Sequence, residues 1–457
     1  MLANFTHAKQ PNIVLIMADD VGIEGIGCYG GVSYKTPHID ALAEGGVCFT
    51  NAYAQPLCTP TRVQLMTGKY NHRNWRCFGI LDPDAMTFGH AMSQAGYATG
   101  IFGKWQLQSY DPPELPGAAS RRGTGMHPKD AGFDEYALFH ALHTEDKGLR
   151  YANPTMLEGV GGDEGELKTY EGKYGEDIWV EKILDFFKRE TGKPKFVYYP
   201  MALPHWPFEP TPKSEDWDPS NTPEADVKYQ KDMIEYMDSV VGRLVRGLEE
   251  QDQRKDTIII FYSDNGTHRL VTSEMQDGRQ IQGGKATSQQ TGVHVPLIVS
   301  YPGRFEPAVT DAIVDASDFF PTLMQLADRS SAENASRELD GMSFVPVLSG
   351  SDVPRREVAF FWYDPRPGWD KESFRRSVFA INKSHKFFRD GRLLRLSERP
   401  LSERLIAKED WSAEDEKAAR VLQSYIEAQM AGSDEPPLVD AYGKPTQALP
   451  ETIRSMN

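Results

Sequence analysis

Residues 257–266 read TIIIFYSDNG, an apolar run that ends in an acidic, glycine-containing turn. An unbroken run of β-branched and aromatic residues is expected of a central strand that is buried on both faces. Both faces of a sheet are covered when helices connect parallel strands, so this run indicates an α/β fold. The rest of the chain should then supply neighbouring strands and covering helices.

Similar short apolar runs alternate with helical patterns through the first three quarters of the chain. The other predicted strands are Asn12–Ala18, Ala98–Lys104, Lys195–Ala202 and Pro296–Ser300. The predicted helices are Pro37–Gly45, Thr59–Lys69, Thr87–Ala95, Glu176–Arg189, Ala225–Glu250 and Asp318–Ala327. This alternation predicts a large, mostly parallel sheet sandwiched by helices.

Two regions depart from the alternating pattern. Gln106–Tyr174 is rich in Gly, Pro and charge, so we expect a long loop or insertion there. After about Pro354 the pattern changes to short segments typical of an antiparallel meander, followed by a helix: Glu357–Trp362, Arg376–Asn382, His385–Arg389, Arg392–Leu396 and Ala413–Met430. We therefore expect a large domain over residues 1–353 and a smaller C-terminal α+β subdomain with an antiparallel sheet over 354–457.

Charge and hydropathy exclude several classes of protein. The 457 residues include 50 Lys and Arg against 66 Asp and Glu, a net charge of −16. Broad nucleic-acid or anionic-membrane binding needs basic surface, so neither is expected. No run of about 18 apolar residues is available to span a bilayer. Any attraction for an anionic substrate must therefore be local.

The N-terminal sequence and the number of cysteines give information on the cellular compartment of the protein. Met1–Gln10 contains no apolar h-region of a signal peptide. A periplasmic or secreted protein would need a signal that has been removed, and otherwise the protein would be cytoplasmic. Four cysteines in so long a chain form neither a disulfide framework nor a zinc pattern. We interpret Cys28, Cys48 and Cys77 as ordinary thiols.

Two polar clusters directly follow predicted strands. Asp19-Asp20 comes after Asn12–Ala18, and Asp264-Asn265-Gly266 comes after Thr257–Ser263. In a parallel sheet both clusters lie at the carboxyl edge, where ligands bind. Three carboxylates and an amide oxygen form a hard oxygen set that suits Ca²⁺ or Mg²⁺. Each cluster alone is more often a turn or a helix cap, and it is their pairing that favours a metal site.

Residues 58–62 read CTPTR, and the segment continues with LMTGKY at 65–70 and with Arg73. A Cys-x-Pro-x-Arg motif followed by Leu-x-Thr-Gly resembles the signature of the type I sulfatases of the alkaline phosphatase superfamily. The resemblance extends from Pro11 to Gly303, and more faintly into the C-terminal region. It implies an alkaline phosphatase-like fold.

The resemblance also implies that Cys58 is oxidised to formylglycine by a separate formylglycine-generating maturation enzyme. The hydrated aldehyde has two hydroxyls on one carbon, of which one attacks sulfur and the other expels sulfate by breaking a C–O bond. No water then needs to attack a crowded anionic sulfur. The alternative interpretation is that Cys58 is a low-pKa thiol at a helix N-terminus, which leaves Pro60 and Arg62 unexplained.

Further site residues follow from the same resemblance. Arg62 would pair with formylglycine, Lys104 would contact sulfate and the nucleophile, His205 would face the leaving oxygen, and Lys285 would contact the sulfate oxygens. The metal, Ca²⁺ or alternatively Mg²⁺, would be held by Asp19, Asp20, Asp264 and Asn265. Without the motifs around them, Lys104 would be a solvated residue at a strand end and His205 a packed loop residue.

The chain departs from the family pattern at two candidate substrate contacts. Gln106 stands where the family has the histidine of Gly-Lys-Trp-His-Leu-Gly, and an amide cannot shuttle a proton at neutral pH. We therefore expect Gln106 to line the pocket without acting as a base. Residues 290–294 read QTGVH in place of Glu-Gly-Gly-x-Arg, so His294 is either a substrate contact or a local packing residue.

The sequence thus predicts a sulfatase that hydrolyses sulfate monoesters, with a sulfated carbohydrate as the preferred substrate. Specificity is expected from three loops, Gln106–Tyr174, His268–Gly284 and Trp362–Trp369, whose aromatic and basic residues suit an anionic sugar. One alternative is a phosphodiesterase or phosphonate monoester hydrolase of the same superfamily. Another is a catalytically silent protein that binds sulfated glycans, in which Cys58 stays a thiol.

Overall fold

The computed structural model describes residues 10–141, 149–327, 339–351, 355–397 and 399–446. The expected domain boundary between residues 353 and 354 lies outside these ranges, as does the N-terminal segment up to residue 9. Within the described ranges, no helix is both long enough and apolar enough to cross a membrane.

A ten-stranded sheet lies at the centre of the main body. In chain order the strands of this region are β1 (Asn12–Ala18), β2 (Val47–Tyr53), β3 (Ala98–Lys104), β4 (Glu135–Phe139), β5 (Thr155–Val160), β6 (Glu166–Thr169), β7 (Lys195–Pro200), β8 (Thr257–Ser263), β9 (Thr272–Glu274), β10 (Gln280–Gln282), β11 (Leu297–Ser300) and β12 (Ala308–Asp315). The order across the sheet is β12-β2-β11-β8-β1-β7-β3-β4-β5-β6, and β9 and β10 form a separate antiparallel pair. Only β11 and β5 run against their neighbours in the interior of the sheet, so the sheet is mostly parallel as predicted.

The central strands are buried on both faces. Ile13, Leu15 and Met17 of β1 belong to the apolar cluster on one side of the sheet. Val14 and Ile16 belong to the cluster on the other side. Successive strand side chains point to opposite faces, so a continuous apolar run fills two cores at once.

Helices cover both faces of this sheet. They are α1 (Pro37–Glu44), α2 (Cys58–Thr67), α3 (Phe88–Gln94), α4 (Gly175–Lys188), α5 (Tyr229–Glu250), α6 (Gln290–Val293), α7 (Phe319–Leu326) and α8 (Val345–Leu348). All six predicted helices of this region are present, although α5 begins four residues later than expected, at Tyr229.

The prediction of a long loop over Gln106–Tyr174 is wrong in part. This region contains β4, β5 and β6, which extend the main sheet to its edge. All four residues of β6 are exposed, and β5 is half-exposed beyond Leu157. Exposed strands need few apolar residues. Their composition is therefore as charged as that of a loop, which is why the sequence pattern predicted a loop. The strands β2 and β12 were also missed by sequence analysis.

A second, five-stranded antiparallel sheet follows. Its strands, in spatial order, are β13 (Ala359–Tyr363), β14 (Ser377–Ile381), β15 (His385–Phe388), β16 (Leu393–Leu396) and β17 (Glu403–Ile406). The helix α9 (Ala413–Met430) packs on β14 and β15. This architecture confirms the predicted fold class, including the antiparallel C-terminal sheet with its helix.

Candidate active site

The polar clusters after β1 and β8 meet at one edge of the sheet. β1 and β8 are adjacent and parallel, so their carboxyl ends lie side by side. The backbone N–H of Asp20 donates to Oδ1 of Asp264 at 3.1 Å, and Nδ2 of Asn265 donates to Oδ1 of Asp20 at 2.8 Å. Asp19, Asp20, Asp264 and Asn265 are all fully buried. The sequence-predicted oxygen cluster is therefore assembled in space.

This cluster fits a hard divalent cation. Oδ1 of Asp19 and Oδ1 of Asn265 are buried and accept no hydrogen bond within the described parts of the chain. Ligand atoms of Asp19, Asp20 and His205 lie within 4.8 Å of one another. Burial raises the pKa of Asp264 to about 7, and the neighbouring charge of Asp19 adds to the rise. Unsatisfied oxygens on crowded carboxylates are a donor set that a divalent cation would complete.

Helix α2 brings Arg62 to the carboxylates. Every residue of α2 is buried, and Cys58 and Arg62 lie one turn apart on the same face. Nη2 of Arg62 lies 2.9 Å from Oδ2 of Asp264 and 3.8 Å from Oδ2 of Asp19. Nη1 of Arg62 donates to the carbonyl oxygen of Lys104 at 3.2 Å. Arg62 therefore joins α2 to three strand ends.

Two lysines approach the carboxylates from above. Nζ of Lys104, at the end of β3, lies 2.6 Å from Oδ2 of Asp19. Nζ of Lys285 lies 2.6 Å from Oδ2 of Asp20. Burial alone would lower the pKa of Lys285, but the charge of Asp20 raises it on balance. Both ammonium groups are therefore held at the inner end of the site by carboxylates.

His205 follows β7 and lies beside the same group. Its Nε2 is 3.9 Å from Oδ2 of Asp20, and Nη2 of Arg150 is 3.4 Å from its Nδ1. Burial lowers the pKa of His205 well below its ordinary value, and the charges of Lys285, Lys104 and Arg150 lower it further. The imidazole is consequently neutral near pH 7.

Cys58 lies at the first position of α2 and is 2% exposed. Burial raises the pKa of the Cys58 thiol, and the charge of Lys104 only partly opposes this rise. A reactive thiolate needs a lowered pKa. The surroundings of Cys58 therefore disfavour its interpretation as a low-pKa thiol.

A cavity of about 290 Å³ opens above these residues. Five of the sequence-predicted site residues line it: Cys58, Lys104, Gln106, His205 and Lys285. Arg62 and the Asp/Asn cluster lie beneath its floor, and Oε1 of Gln106 is buried without a hydrogen-bond partner in the described structure. The structure does not bring His294 to the cavity, because its Nε2 lies 2.8 Å from the Thr50 carbonyl oxygen and its ring packs 5.2 Å from that of Tyr53.

Several lining residues were not identified from the sequence. Those that add charged, polar or aromatic groups are Phe78, Tyr110, His140, Arg150, Trp206, His268, Arg269, Asp370, Lys371, Ser373 and Phe374. The loop Trp362–Trp369 was expected to shape the cavity, but the lining comes from the residues just after it. Arg366 instead forms a buried ion pair with Asp364 at 2.8 Å. His140 follows the missed strand β4, so only recognition of that strand could have placed it.

The chain is similar to known sulfatases in sequence and in fold. The sulfatase family model matches residues 11–329. Arylsulfatase A of Homo sapiens is 29% identical over 430 residues, which cover 86% of this chain and 77% of the relative. An N-acetylgalactosamine-6-O-sulfatase of Bacteroides thetaiotaomicron is 26% identical over 427 residues, covering 78% of this chain and 79% of the relative. The crystal structure of the PsFucS1 sulfatase from Pseudoalteromonas sp. superposes with a TM-score of 0.68 at 21% identity, covering 94% of this chain and 92% of that chain.

Proposed function

Because this chain belongs to the sulfatase family of sulfuric ester hydrolases, we propose that it hydrolyses sulfate monoesters with a formylglycine nucleophile made from Cys58. The observation that carries the proposal is the position of Cys58. It lines the cavity together with His205, Lys104 and Lys285, and these two lysines contact the buried oxygen cluster. A neutral, buried thiol is a poor nucleophile as it stands, which favours its conversion into another group.

We propose that Asp19, Asp20, Asp264 and Asn265 hold Ca²⁺, for which Mg²⁺ could substitute because both prefer oxygen ligands. The bound cation would polarise the sulfate and favour ionisation of the hydrate. Formylglycine would supply two hydroxyls on one carbon, so that one can attack and the other can expel sulfate. The partner that makes it would be a formylglycine-generating enzyme.

The chain's own residues divide the remaining work. Arg62 is fixed by Asp264 and by the Lys104 carbonyl oxygen, so it presents a rigid positive charge one turn below the nucleophile. Lys104 and Lys285 are placed to bind sulfate oxygens and to neutralise charge that develops during cleavage. Nδ1 of the neutral His205 donates to the Trp206 carbonyl oxygen, so Nε2 carries the lone pair and is the ring atom available for proton transfer beside the leaving oxygen.

The proposed substrate is a sulfated carbohydrate. Phe78, Tyr110, Trp206 and Phe374 give the cavity aromatic surface of the kind on which sugar rings stack. Oε1 of Gln106, which has no hydrogen-bond partner among the described residues, is available to accept a hydrogen bond from a sugar hydroxyl. The surroundings of His294 do not support a substrate contact, because its ring contacts the Thr50 carbonyl oxygen and packs near the ring of Tyr53.

The experiment begins with the tryptic peptide Thr36–Arg62 after co-expression with a formylglycine-generating enzyme. This peptide contains both Cys48 and Cys58, so fragmentation provides an internal control within one molecule. We expect the aldehyde at Cys58 and an unmodified thiol at Cys48. A peptide that keeps both thiols, while a known sulfatase matures in the same cells, would contradict the mechanism.

The matured protein should then release inorganic sulfate from sulfated sugars, and Cys58→Ala should release none. Phosphate diesters and phosphonate monoesters serve as the competing substrates. Faster turnover of these than of every sulfate ester would favour the alternative activity within the superfamily. Tight binding of sulfated sugars without any release would favour the silent binder.

A further inference from the structure

We propose that the cavity binds a second anionic group of the substrate, a carboxylate or another sulfate, in addition to the sulfate that is cleaved. The inference rests on the proposed function for the identity of the first anion. It is carried independently by the distribution of charge around the cavity.

The lining is strongly positive in a strongly negative protein. Among the described residues that line the cavity, five are cationic, namely Lys104, Arg150, Arg269, Lys285 and Lys371, and one, Asp370, is a carboxylate. The chain as a whole has a net charge of −16. Basic residues concentrated in a cleft of an acidic protein attract an anion to that cleft.

The cations fall into two groups by what they contact. Lys104 and Lys285 each contact a buried carboxylate of the Asp/Asn cluster. A sulfate monoester carries a single negative charge, and these two lysines already suffice to contact its oxygens. Arg150, Arg269 and Lys371 are therefore additional to what one sulfate requires.

Arg150 is a buried cation whose Nη2 donates to the Trp206 carbonyl oxygen but which forms no ion pair with a carboxylate among the described residues. It is 9% exposed, and its Nε makes no hydrogen bond within the described parts of the chain. Its guanidinium lies over the rings of Tyr151 and Phe139, at 5.1 and 5.5 Å from their centroids. Burial raises the pKa of nearby Glu209 and the charge of Arg150 opposes that rise, but the two form no ion pair in the described structure. A buried charge without a counter-ion is costly unless a ligand supplies one.

Lys371 is buried on the aromatic side of the cavity. It is 4% exposed, and its Nζ lies 4.1 Å from the ring centroid of Phe78 and 5.2 Å from that of Tyr110. Its ion-pair partner Asp370 has a side chain that is 53% exposed, so solvent weakens the compensation. Burial accordingly lowers the pKa of Lys371.

Arg269 is the third additional cation, and it comes from the loop after β8. It is exposed and forms no ion pair among the described residues, and its neighbour His268 has a pKa lowered by burial and therefore adds little positive charge at neutral pH. Three cations from three separate parts of the chain thus face one carboxylate. Uronate-containing or multiply sulfated sugars supply the missing negative charge, and neutral sugars with a single sulfate do not.

The test compares three disaccharides built on N-acetylgalactosamine 6-sulfate. Its neighbour is galactose in the first, glucuronate in the second and a sulfated galactose in the third. Calorimetry on the unmatured Cys58 form measures binding without turnover. We expect at least one dianionic sugar to bind about 10-fold or more tightly than the neutral-neighbour sugar, as one additional charge-assisted contact would give.

The variants Lys371→Met and Arg269→Gln should reduce this preference towards unity. In Lys371→Met the unbranched side chain still packs against Phe78 and Tyr110. In Arg269→Gln the substituted residue is exposed, so this variant should fold even if Lys371→Met does not. Lys255→Met and Arg304→Gln, two exposed cations outside the cavity lining, are the matched controls and should keep the preference.

Equal affinity for all three sugars, or no measurable binding of any of them, would overturn the proposal. A preference that survives in both cavity variants would also overturn it. Preference for the carboxylate or for the second sulfate supports it and identifies the group. Failure of the proposed function would look different, because the formylglycine form would then release no sulfate from any ester whatever the binding preference.

Discussion

Nη2 of Arg62 lies 2.9 Å from Oδ2 of Asp264, and both side chains are almost completely buried. This pair connects the helix that begins with Cys58 to the end of the central strand β8. It therefore sets the position of Cys58, the proposed precursor of the nucleophile, relative to the oxygen cluster. The same guanidinium also stabilises a carboxylate whose pKa burial has raised to about 7.

Removal of the Arg62 charge should destabilise the fold strongly. We expect Arg62→Met to lower the free energy of unfolding by about 3–5 kcal/mol in chelator-containing buffer, because it leaves Asp264 and Asp19 buried without this counter-charge. The double variant Arg62→Met/Asp264→Asn should recover part of the loss, since one uncompensated carboxylate is then neutral. Urea unfolding followed by circular dichroism measures all three proteins.

The control for this cycle is Arg76→Met, which removes a surface ion pair. Nη2 of Arg76 lies 2.7 Å from Oδ2 of Asp82, and both side chains are substantially exposed. Loss of such a pair should cost no more than about 1 kcal/mol. Equal effects of the buried and surface substitutions would show that the Arg62 pair does not organise the site.

Addition of Ca²⁺ should stabilise the protein through the Asp/Asn cluster. A ligand at 100 times its Kd stabilises the folded state by about 2.7 kcal/mol, which is readily seen as a rise in Tm. We expect this rise in the natural sequence and its loss in Asn265→Ala, which removes one of the buried oxygens that accept no hydrogen bond in the described structure. Asp216→Asn, at an exposed carboxylate, is the control and should keep the rise. No calcium-dependent change in Tm of the natural sequence would count against this metal site.

A methyl group at Gly103 should displace the lysine that follows it. Gly103 has φ +135°, and a Cβ there would lie 2.0 Å from the carbonyl oxygen of Pro200 on the neighbouring strand. Neither the added Cβ nor the backbone oxygen can rotate away, so β3 and β7 must separate. Nζ of Lys104 must then move from its contact with Asp19. We expect Gly103→Ala to lower kcat/KM for a sulfate ester by at least about 10-fold, as misplacement of a positioned group would.

Gly96→Ala separates this clash from backbone strain. Gly96 has φ +89° but no atom within 4 Å of its added Cβ. The substitution should therefore cost on the order of 1–2 kcal/mol in stability and leave kcat/KM unchanged. If both variants lose activity equally, the loss reflects backbone strain rather than the position of Lys104.

The sequence allowed the central strands to be predicted because their composition is determined by burial on both faces. Asn12–Ala18 and Thr257–Ser263 have the predicted bounds, and the carboxylates after them meet because adjacent parallel strands end at one edge. β6 could not be recognised, since a solvated edge strand carries charges like those of a loop. The spacing of apolar residues along the sequence reflects which side chains are buried, so it cannot reveal a strand whose side chains are exposed.

The basic residues Arg150 and Lys371 of the cavity lining could not be predicted from the sequence for a different reason. Arg150 and Lys371 reach the cavity from loops whose paths depend on β4, β5 and the second sheet. Neither residue belongs to a local motif, so only the assembled chain shows that they share a cavity. His294, by contrast, was selected by its alignment with a family motif, and the structure places its ring against Thr50 and Tyr53.

Glu176, at the start of α4, should make stability depend on pH. Its Oε1 accepts hydrogen bonds from the backbone N–H groups of Ala202 and Leu203, at 2.8 and 3.0 Å, in the turn that leads to His205. Burial raises the pKa of Glu176 from 4.5 to about 7, and the hydrogen bonds only partly oppose this rise. The folded state thus holds the Glu176 proton more tightly than the unfolded chain does.

The sign of the effect follows from this difference in pKa. The stabilising contribution of protonated Glu176 is fully present below about pH 4.5 and is lost as the pH rises through about 7. Glu176→Gln keeps an amide oxygen for the two backbone donors and cannot ionise. Relative to the natural sequence, it should gain stability between pH 5 and pH 8, on the order of 2–3 kcal/mol. Urea unfolding across this range measures the difference, with the exposed Glu250→Gln as a control that should show no trend. A difference between Glu176→Gln and the natural sequence that stays constant with pH would show that Glu176 keeps an ordinary pKa in the folded protein.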